Sequence, residues 1–258
     1  MASCGSVPPI ELAGMVIAAI VAQGVQGSSS NERSEAAAGV TRSVMDRITF
    51  ETEDGVLLEG ELRLPEGDRA APAVICHPHP EFGGSKDHPL LWAIRNELAS
   101  KGFVVLSFNF RGVMGSGGVH GGGLEELKDV RAAVGRAHQE QVGRVFVCGW
   151  SFGAHTALRE AMDDERVGSL ALIGMPLGET RGQIPDLPDR GRLKALDRPV
   201  LLVAGEADPF CPVPEVRALG RRLPPARVEI LPGTDHFFWR REQEVARIVA
   251  SFAEETSS

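Results

Sequence analysis

Gly149-Trp150-Ser151-Phe152-Gly153 decides the fold of this chain. The stretch fits the nucleophile-elbow pattern Gly-x-Ser-x-Gly. At this chain's Gly and Ser content roughly one shuffled sequence in five would contain that pattern by chance, so its context carries the weight. Before it, Arg144-Val145-Phe146-Val147-Cys148 is short, apolar and β-branched, the composition of a buried strand. After it, residues 154–162 favour a helix. A sharp strand-to-helix turn lifts the Ser151 hydroxyl above the edge of a sheet, and flanking glycines leave room for the strained backbone.

From residue 46 onward the rest of the chain repeats this alternation. The pattern predicts strands over 47–52 and 56–64 joined by Glu53-Asp54-Gly55, a hairpin signal. Further strands are predicted over 73–76, 103–110, 144–148, 167–173, 199–204 and 228–231. Helices are predicted over 87–101, 124–139, 152–162, 214–222 and 240–252, and Gly102 is placed to cap the first of them. Strands alternating with helices imply an α/β fold: a mostly parallel twisted sheet of about eight strands, covered on both faces, opening with an antiparallel hairpin.

Composition allows a single catalytic-size domain. The chain has 258 residues, 43% hydrophobic and 24% charged, an ordinary soluble balance. A net charge of −8 with no basic patch argues against nucleic acid as a partner. Tyr is absent, so no phenol can act as acid, base or oxyanion donor. The four cysteines show no Cys-x-x-Cys spacing, and Cys76 and Cys148 lie in apolar runs. This favours a reducing, cytoplasmic setting. Residues 1–44 differ from the remainder and read as an N-terminal extension, disordered or targeting, with the folded domain over 45–258. Residues 10–25 are apolar but too short and interrupted for a membrane span, and residues 1–9 lack the basic charge of a signal peptide. If residues 1–27 nevertheless act as one, the protein is exported.

In parallel α/β sheets reacting groups gather beyond the carboxyl ends of the strands. Ser151 is at one such end. Gly205-Glu206-Ala207-Asp208-Pro209 follows a second, and Pro232-Gly233-Thr234-Asp235-His236 a third. A serine hydroxyl is a poor nucleophile until a base takes its proton, and imidazole does so near neutral pH. A carboxylate fixes the imidazole tautomer and stabilises the imidazolium. Ser151, His236 and Asp208 are therefore the candidate nucleophile, base and acid, with Glu206 as the fallback acid and Asp235 as a support for the histidine loop. Asp208 alternatively serves as a turn residue before Pro209.

These motifs, together with His77-Pro78-His79-Pro80-Glu81-Phe82-Gly83-Gly84-Ser85 and Phe108-Asn109-Phe110-Arg111-Gly112-Val113, resemble the α/β-hydrolase superfamily over the whole chain from about residue 45. The likeness is to a bacterial subgroup of small serine hydrolases, similar to dienelactone hydrolases and to the catalytic domains of prolyl-oligopeptidase-like peptidases. Ser rather than Cys at 151 departs from the dienelactone hydrolases. The resemblance implies acyl transfer through an acyl-enzyme on a small ester, or alternatively an amide or peptide, with no cofactor. It implies an oxyanion hole built from the Phe152 N–H and a loop N–H after the third strand. His79 is the first choice for that second donor and Glu81 the next, since Pro78 and Pro80 have none to give.

Other residues receive plainer readings. His77-x-His79 is a possible metal pair, but spacing supplies no third ligand, so none is expected. Arg111 is expected to pair with Glu125, Glu126 or Asp129. His155 is expected to pack or face solvent, and His88, His120 and His138 to be solvated. Residues 175–198, where this fold inserts a cap, hold room for about two helical turns, which predicts a short flap and an open site for short acyl groups. Oligomeric state is not encoded in any of these signals.

Overall fold

The computed structural model describes residues 45–65, 67–178, 184–223 and 225–257. The expectations about residues 1–44, and part of the flap at 179–183, lie outside the described residues.

The sheet is built from eight strands: β1 Met45–Glu51, β2 Leu57–Arg63, β3 Pro72–Cys76, β4 Val104–Phe108, β5 Val145–Trp150, β6 Val167–Ile173, β7 Val200–Gly205 and β8 Ala226–Leu231. Their order is β1-β2-β4-β3-β5-β6-β7-β8. The first two pairings, β1 with β2 and β2 with β4, are antiparallel, and every later one is parallel. The hairpin turn closes through the Gly55 N–H on the Thr52 carbonyl at 3.0 Å.

The central strands are buried on both faces, and their alternating side chains feed two cores. Val74, Cys76, Val145, Val147, Leu170 and Leu172 point into one, while Ala73, Ile75, Phe146, Cys148, Ala171 and Ile173 point into the other. This is the period-2 consequence of the pleat. Helices α1 Pro89–Ser100 and α6 Glu242–Thr256 cover the second face, and α2 Glu126–Glu140, α3 Phe152–Ala161 and α5 Val213–Gly220 the first. The apolar stripes are explicit: Leu90, Leu91, Ile94 and Leu98 on α1, and Val130, Ala133, Val134 and Ala137 on α2, recur at three- and four-residue intervals. Helix α1 begins two residues later than its pattern suggests because His88 caps it. The His88 Nδ1 accepts the Leu90 N–H at 3.2 Å, and Pro89 occupies the first turn, where its missing N–H costs nothing.

Between β6 and β7 the described residues contain one helix, α4 Arg190–Ala195, capped by Asp189. No helix among the described residues is long and apolar enough to cross a membrane.

Candidate active site

The elbow begins where β5 ends. Ser151 has φ 57° and ψ −117°, a conformation L-residues avoid, and its N–H is tied to the Ile173 carbonyl of β6 at 2.8 Å. Strain of this kind persists only where surrounding structure enforces it. Here Gly153 enforces it: a Cβ on that residue would lie 2.3 Å from the Cys76 carbonyl oxygen, so the start of α3 sits directly on the end of β3.

Three strand ends converge on the serine. His236 Nε2 lies 3.0 Å from Ser151 Oγ, and His236 Nδ1 lies 2.8 Å from Asp208 Oδ2. The other Asp208 oxygen accepts the N–H groups of Phe210 at 2.8 Å and Cys211 at 3.0 Å, which fixes the carboxylate plane. With Asp208 holding the Nδ1 proton, Nε2 presents a lone pair to the serine hydroxyl. The three residues are only 8%, 7% and 4% exposed (Ser151, His236, Asp208), which leaves the hydroxyl reachable and the carboxylate dry.

The loops that carry acid and base are joined to one another. Glu206 N–H donates to the Leu231 carbonyl, Ala207 N–H to the Thr234 carbonyl, and the Glu206 carboxylate accepts the Gly233 N–H, each at 2.9 Å. Glu206 thus braces the histidine loop, and Asp208 alone of the two acids meets His236. Asp235 accepts the Phe237 N–H at 3.0 Å and shapes the same loop. The Trp150 indole N–H reaches across to the His236 carbonyl at 3.2 Å. At the end of β6, Gly174 has φ +50°, and a Cβ there would stand 3.3 Å from His236 Nδ1 and 3.4 Å from Asp208 Oδ2. Only glycine leaves the acid–base contact undisturbed.

His77 and His79 do different jobs. His77 is fully buried; its Nε2 accepts the Phe110 N–H at 2.9 Å and its Nδ1–H faces the Pro78 carbonyl at 2.6 Å. Both nitrogens are engaged, so the two-residue spacing does not make a metal pair. Because a trans peptide points its C=O and N–H in opposite directions, turning the Pro78 carbonyl toward His77 fixes the direction of the His79 N–H. His79 caps a 3-10 turn over Pro80–Phe82, and its Nδ1 accepts the Glu81 N–H at 3.3 Å. That second candidate donor is thus engaged in the cap. The Phe152 N–H belongs to the first turn of α3, where no intrahelical acceptor exists.

Arg111 meets Asp129 at 2.7 Å and Asp54 at 3.0 Å, with Glu125 farther at 3.6 Å. Asp54 could not be foreseen, since it comes from the β1–β2 turn. Glu126 instead accepts the Gly121 and Gly123 N–H groups, both at 2.7 Å. Two histidines depart from the solvated reading: the His88 ring lies tilted 4.4 Å from Trp150, and the His120 ring lies 5.4 Å from Phe152. His155 is buried with its Nε2 at 2.9 Å from the Pro176 carbonyl, and His138 Nδ1 meets the Gly143 carbonyl at 2.9 Å. Cys76, Cys148 and Cys211 are buried thiols, and burial pushes the Cys148 and Cys211 thiols well above the usual thiol range.

Burial drives the His77 imidazole down to about 3. An unfolded-chain histidine protonates near 6.5, so between pH 6.5 and 3 the unfolded state binds the extra proton and stability falls as pH falls. By pH 4 this one group is expected to remove about 3 kcal/mol relative to neutral pH. Urea midpoints at pH 7 and pH 4 check this. A His77→Asn variant, weaker at pH 7, should lose less on acidification than the parent.

Comparisons with known proteins agree with this architecture. An uncharacterized protein of Rickettsia prowazekii is 26% identical over 216 residues, covering 81% of this chain and 88% of its own. An alpha-beta serine hydrolase homologue from Coxiella burnetii superimposes with a TM-score of 0.70 at 25% identity, over 80% of this chain and 96% of its own. XC6422 from Xanthomonas campestris, described as an a/b serine hydrolase without lid, gives 0.68 at 25% identity over 85% and 97%. Residues 73–256 match the family described as alpha/beta hydrolase domain, a span running from β3 to the end of α6, and the chain belongs to that family.

Proposed function

We propose that the protein is a carboxylesterase-type serine hydrolase that cleaves small esters through an acyl-enzyme. The observation that carries this reading is the continuous Asp208–His236–Ser151 hydrogen-bond relay, at 2.8 and 3.0 Å. His236 Nε2 takes the Ser151 proton as Oγ attacks the ester carbonyl, and Asp208 stabilises the imidazolium that forms. The N–H groups of Phe152 and His79 receive the oxyanion. His236 then returns the proton to the leaving alcohol. In the second half it activates water, which attacks the acyl group and frees the acid. No added group is needed for any step.

Among the described residues between β6 and β7 the one helix is the six-residue α4, and the similar Xanthomonas protein is described as lacking a lid. A short acyl group suits such a site better than a long chain. The decisive experiment combines a fluorophosphonate probe with aryl esters of increasing chain length. The native protein should label and Ser151→Ala should not, and acetyl or butyryl esters should turn over at least about 10-fold faster than palmitoyl esters. Labelling that persists in Ser151→Ala removes the nucleophile assignment; activity confined to long chains removes the substrate class.

A further inference from the structure

Beside the serine, three metal-liganding side chains meet that the relay does not use. His79, Glu81 and His120 each offer one ligand atom, and these atoms lie within 4.8 Å of one another. The His79 and His120 rings are 4.9 Å apart, and both pack on Phe152, at 5.0 and 5.4 Å. His120 arrives from the glycine-rich loop after β4, far from His79 in sequence. Two imidazoles and one carboxylate, with water as a fourth ligand, form a donor set that zinc takes readily. Tetrahedral zinc with bonds of about 2.0–2.1 Å needs its ligand atoms about 3.4 Å apart. The cluster therefore closes by at most about 1.4 Å, a movement shared by the exposed Glu81 side chain and the half-buried His79 and His120 rings.

The surroundings favour ligation. The His79 Nδ1 already accepts the Glu81 N–H, so the ring carries a lone pair on the side that faces the cluster's carboxylate residue. Behind His120 stands Glu126, wholly buried, its oxygen 2.8 Å from His120 Nδ1 in a contact too bent for a straight hydrogen bond. The negative charge this close favours the tautomer with its proton on Nδ1, which leaves the Nε2 lone pair to give. The Gly121 and Gly123 N–H groups hold that carboxylate in place.

We propose that His79, Glu81 and His120 form an inhibitory zinc site at the rim of the active site; the inhibitory part rests on the hydrolase reading above. The coupling runs through the His79 cap. If zinc binds Nδ1, it takes the lone pair that holds the Glu81 N–H. If it binds Nε2, the ring proton must move to Nδ1, where it faces that same N–H. Either way the Pro80–Phe82 turn loses its cap. The turn adjoins the His79 amide, and Phe152, which supplies the other proposed oxyanion donor, is in ring contact with both histidines.

The test uses the full chain stripped with a chelator. Zinc is titrated against a chromophoric competitor, and fluorophosphonate labelling is timed with and without one equivalent of zinc. The native protein should bind one tight equivalent and label at least about 10-fold more slowly with zinc present, reversed by chelator. His120→Ala and Glu81→Gln should each weaken binding at least about 10-fold and abolish the slowing, while labelling without zinc at close to the native rate. Glu81 is exposed, so its variant guards against a folding defect in the other. Absence of tight binding, or equal affinity in both variants, overturns the site. Binding at these residues with unchanged or faster labelling overturns the inhibition. If the native protein fails to label at all, the hydrolase reading falls, and the titration still decides the site.

Discussion

Asp208→Asn is expected to lower kcat on a short aryl ester by about 10,000-fold, with KM changed only a few-fold. The loss follows from proton placement. The Asn carbonyl oxygen can still accept the Phe210 and Cys211 N–H groups, as Asp208 Oδ1 does now. Its amide then points N–H at His236 Nδ1, which must accept, and the imidazole proton moves to Nε2. That nitrogen stands 3.0 Å from Ser151 Oγ and would donate to the hydroxyl rather than receive from it. The base is lost with the geometry intact. Glu206→Gln is the contrasting variant: a Gln oxygen can still accept the Gly233 N–H, so activity should stay within about threefold. Steady-state kinetics on the pair distinguish the two strand-end acids. Equal losses would show that the carboxylate acts by bracing its loop and not by holding the imidazole.

Gly153→Ala is expected to cost more than about 3 kcal/mol of stability, the range reached by severe overpacking. The added methyl would stand 2.3 Å from the Cys76 carbonyl oxygen and 2.6 Å from that of His77. Both are backbone atoms of a buried strand end and cannot swing aside. Either α3 lifts off β3, or the His77–His79 loop moves, and the second route also displaces the His79 amide. Urea unfolding and labelling rate should therefore fall together. Gly233→Ala separates crowding from backbone preference: its φ is +59° but nothing lies within 4 Å, so only the left-handed penalty of about 1–2 kcal/mol applies. If Gly153→Ala is as mild as Gly233→Ala, the close approach of helix to strand is not what holds the elbow.

The sheet was legible because buried parallel strands are short apolar runs and amphipathic helices carry a long period; 167–173 is read from sequence with the same bounds that the structure gives. Strand ends drifted where side chains end the ladder. Residues 109–110 read as strand, yet β4 stops at Phe108: the Asn109 amide still reaches the Glu59 carbonyl opposite it, but the Phe110 amide turns to His77 Nε2. The candidate nucleophile, base and acid could be named because each follows a strand end. The choice between Glu206 and Asp208 needed distances, since both sit after β7 within three residues. The histidines were the least legible. Whether an imidazole caps a helix (His88), locks a peptide (His77) or meets another ring (His79 and His120) depends on partners distant in sequence, and no periodicity announces them. His120 is placed by the path of a glycine-rich loop whose turns carry no directional signal beyond positive φ at Gly112, Gly118, Gly122 and Gly123.

The hydrogen bond from the Trp150 indole to the His236 carbonyl also gives the molecule an optical reporter. Of three tryptophans, Trp92 and Trp239 are about half exposed, whereas Trp150 is sealed inside, its ring 4.4 Å from His88 and 6.0 Å from His236. An enclosed indole emits at shorter wavelength and is shielded from dissolved quenchers, so its light can be separated from that of the other two. Because Trp150 immediately precedes Ser151 and holds the histidine loop by its carbonyl, acylation, loop displacement or protonation of either neighbouring ring would register in that emission without any attached label.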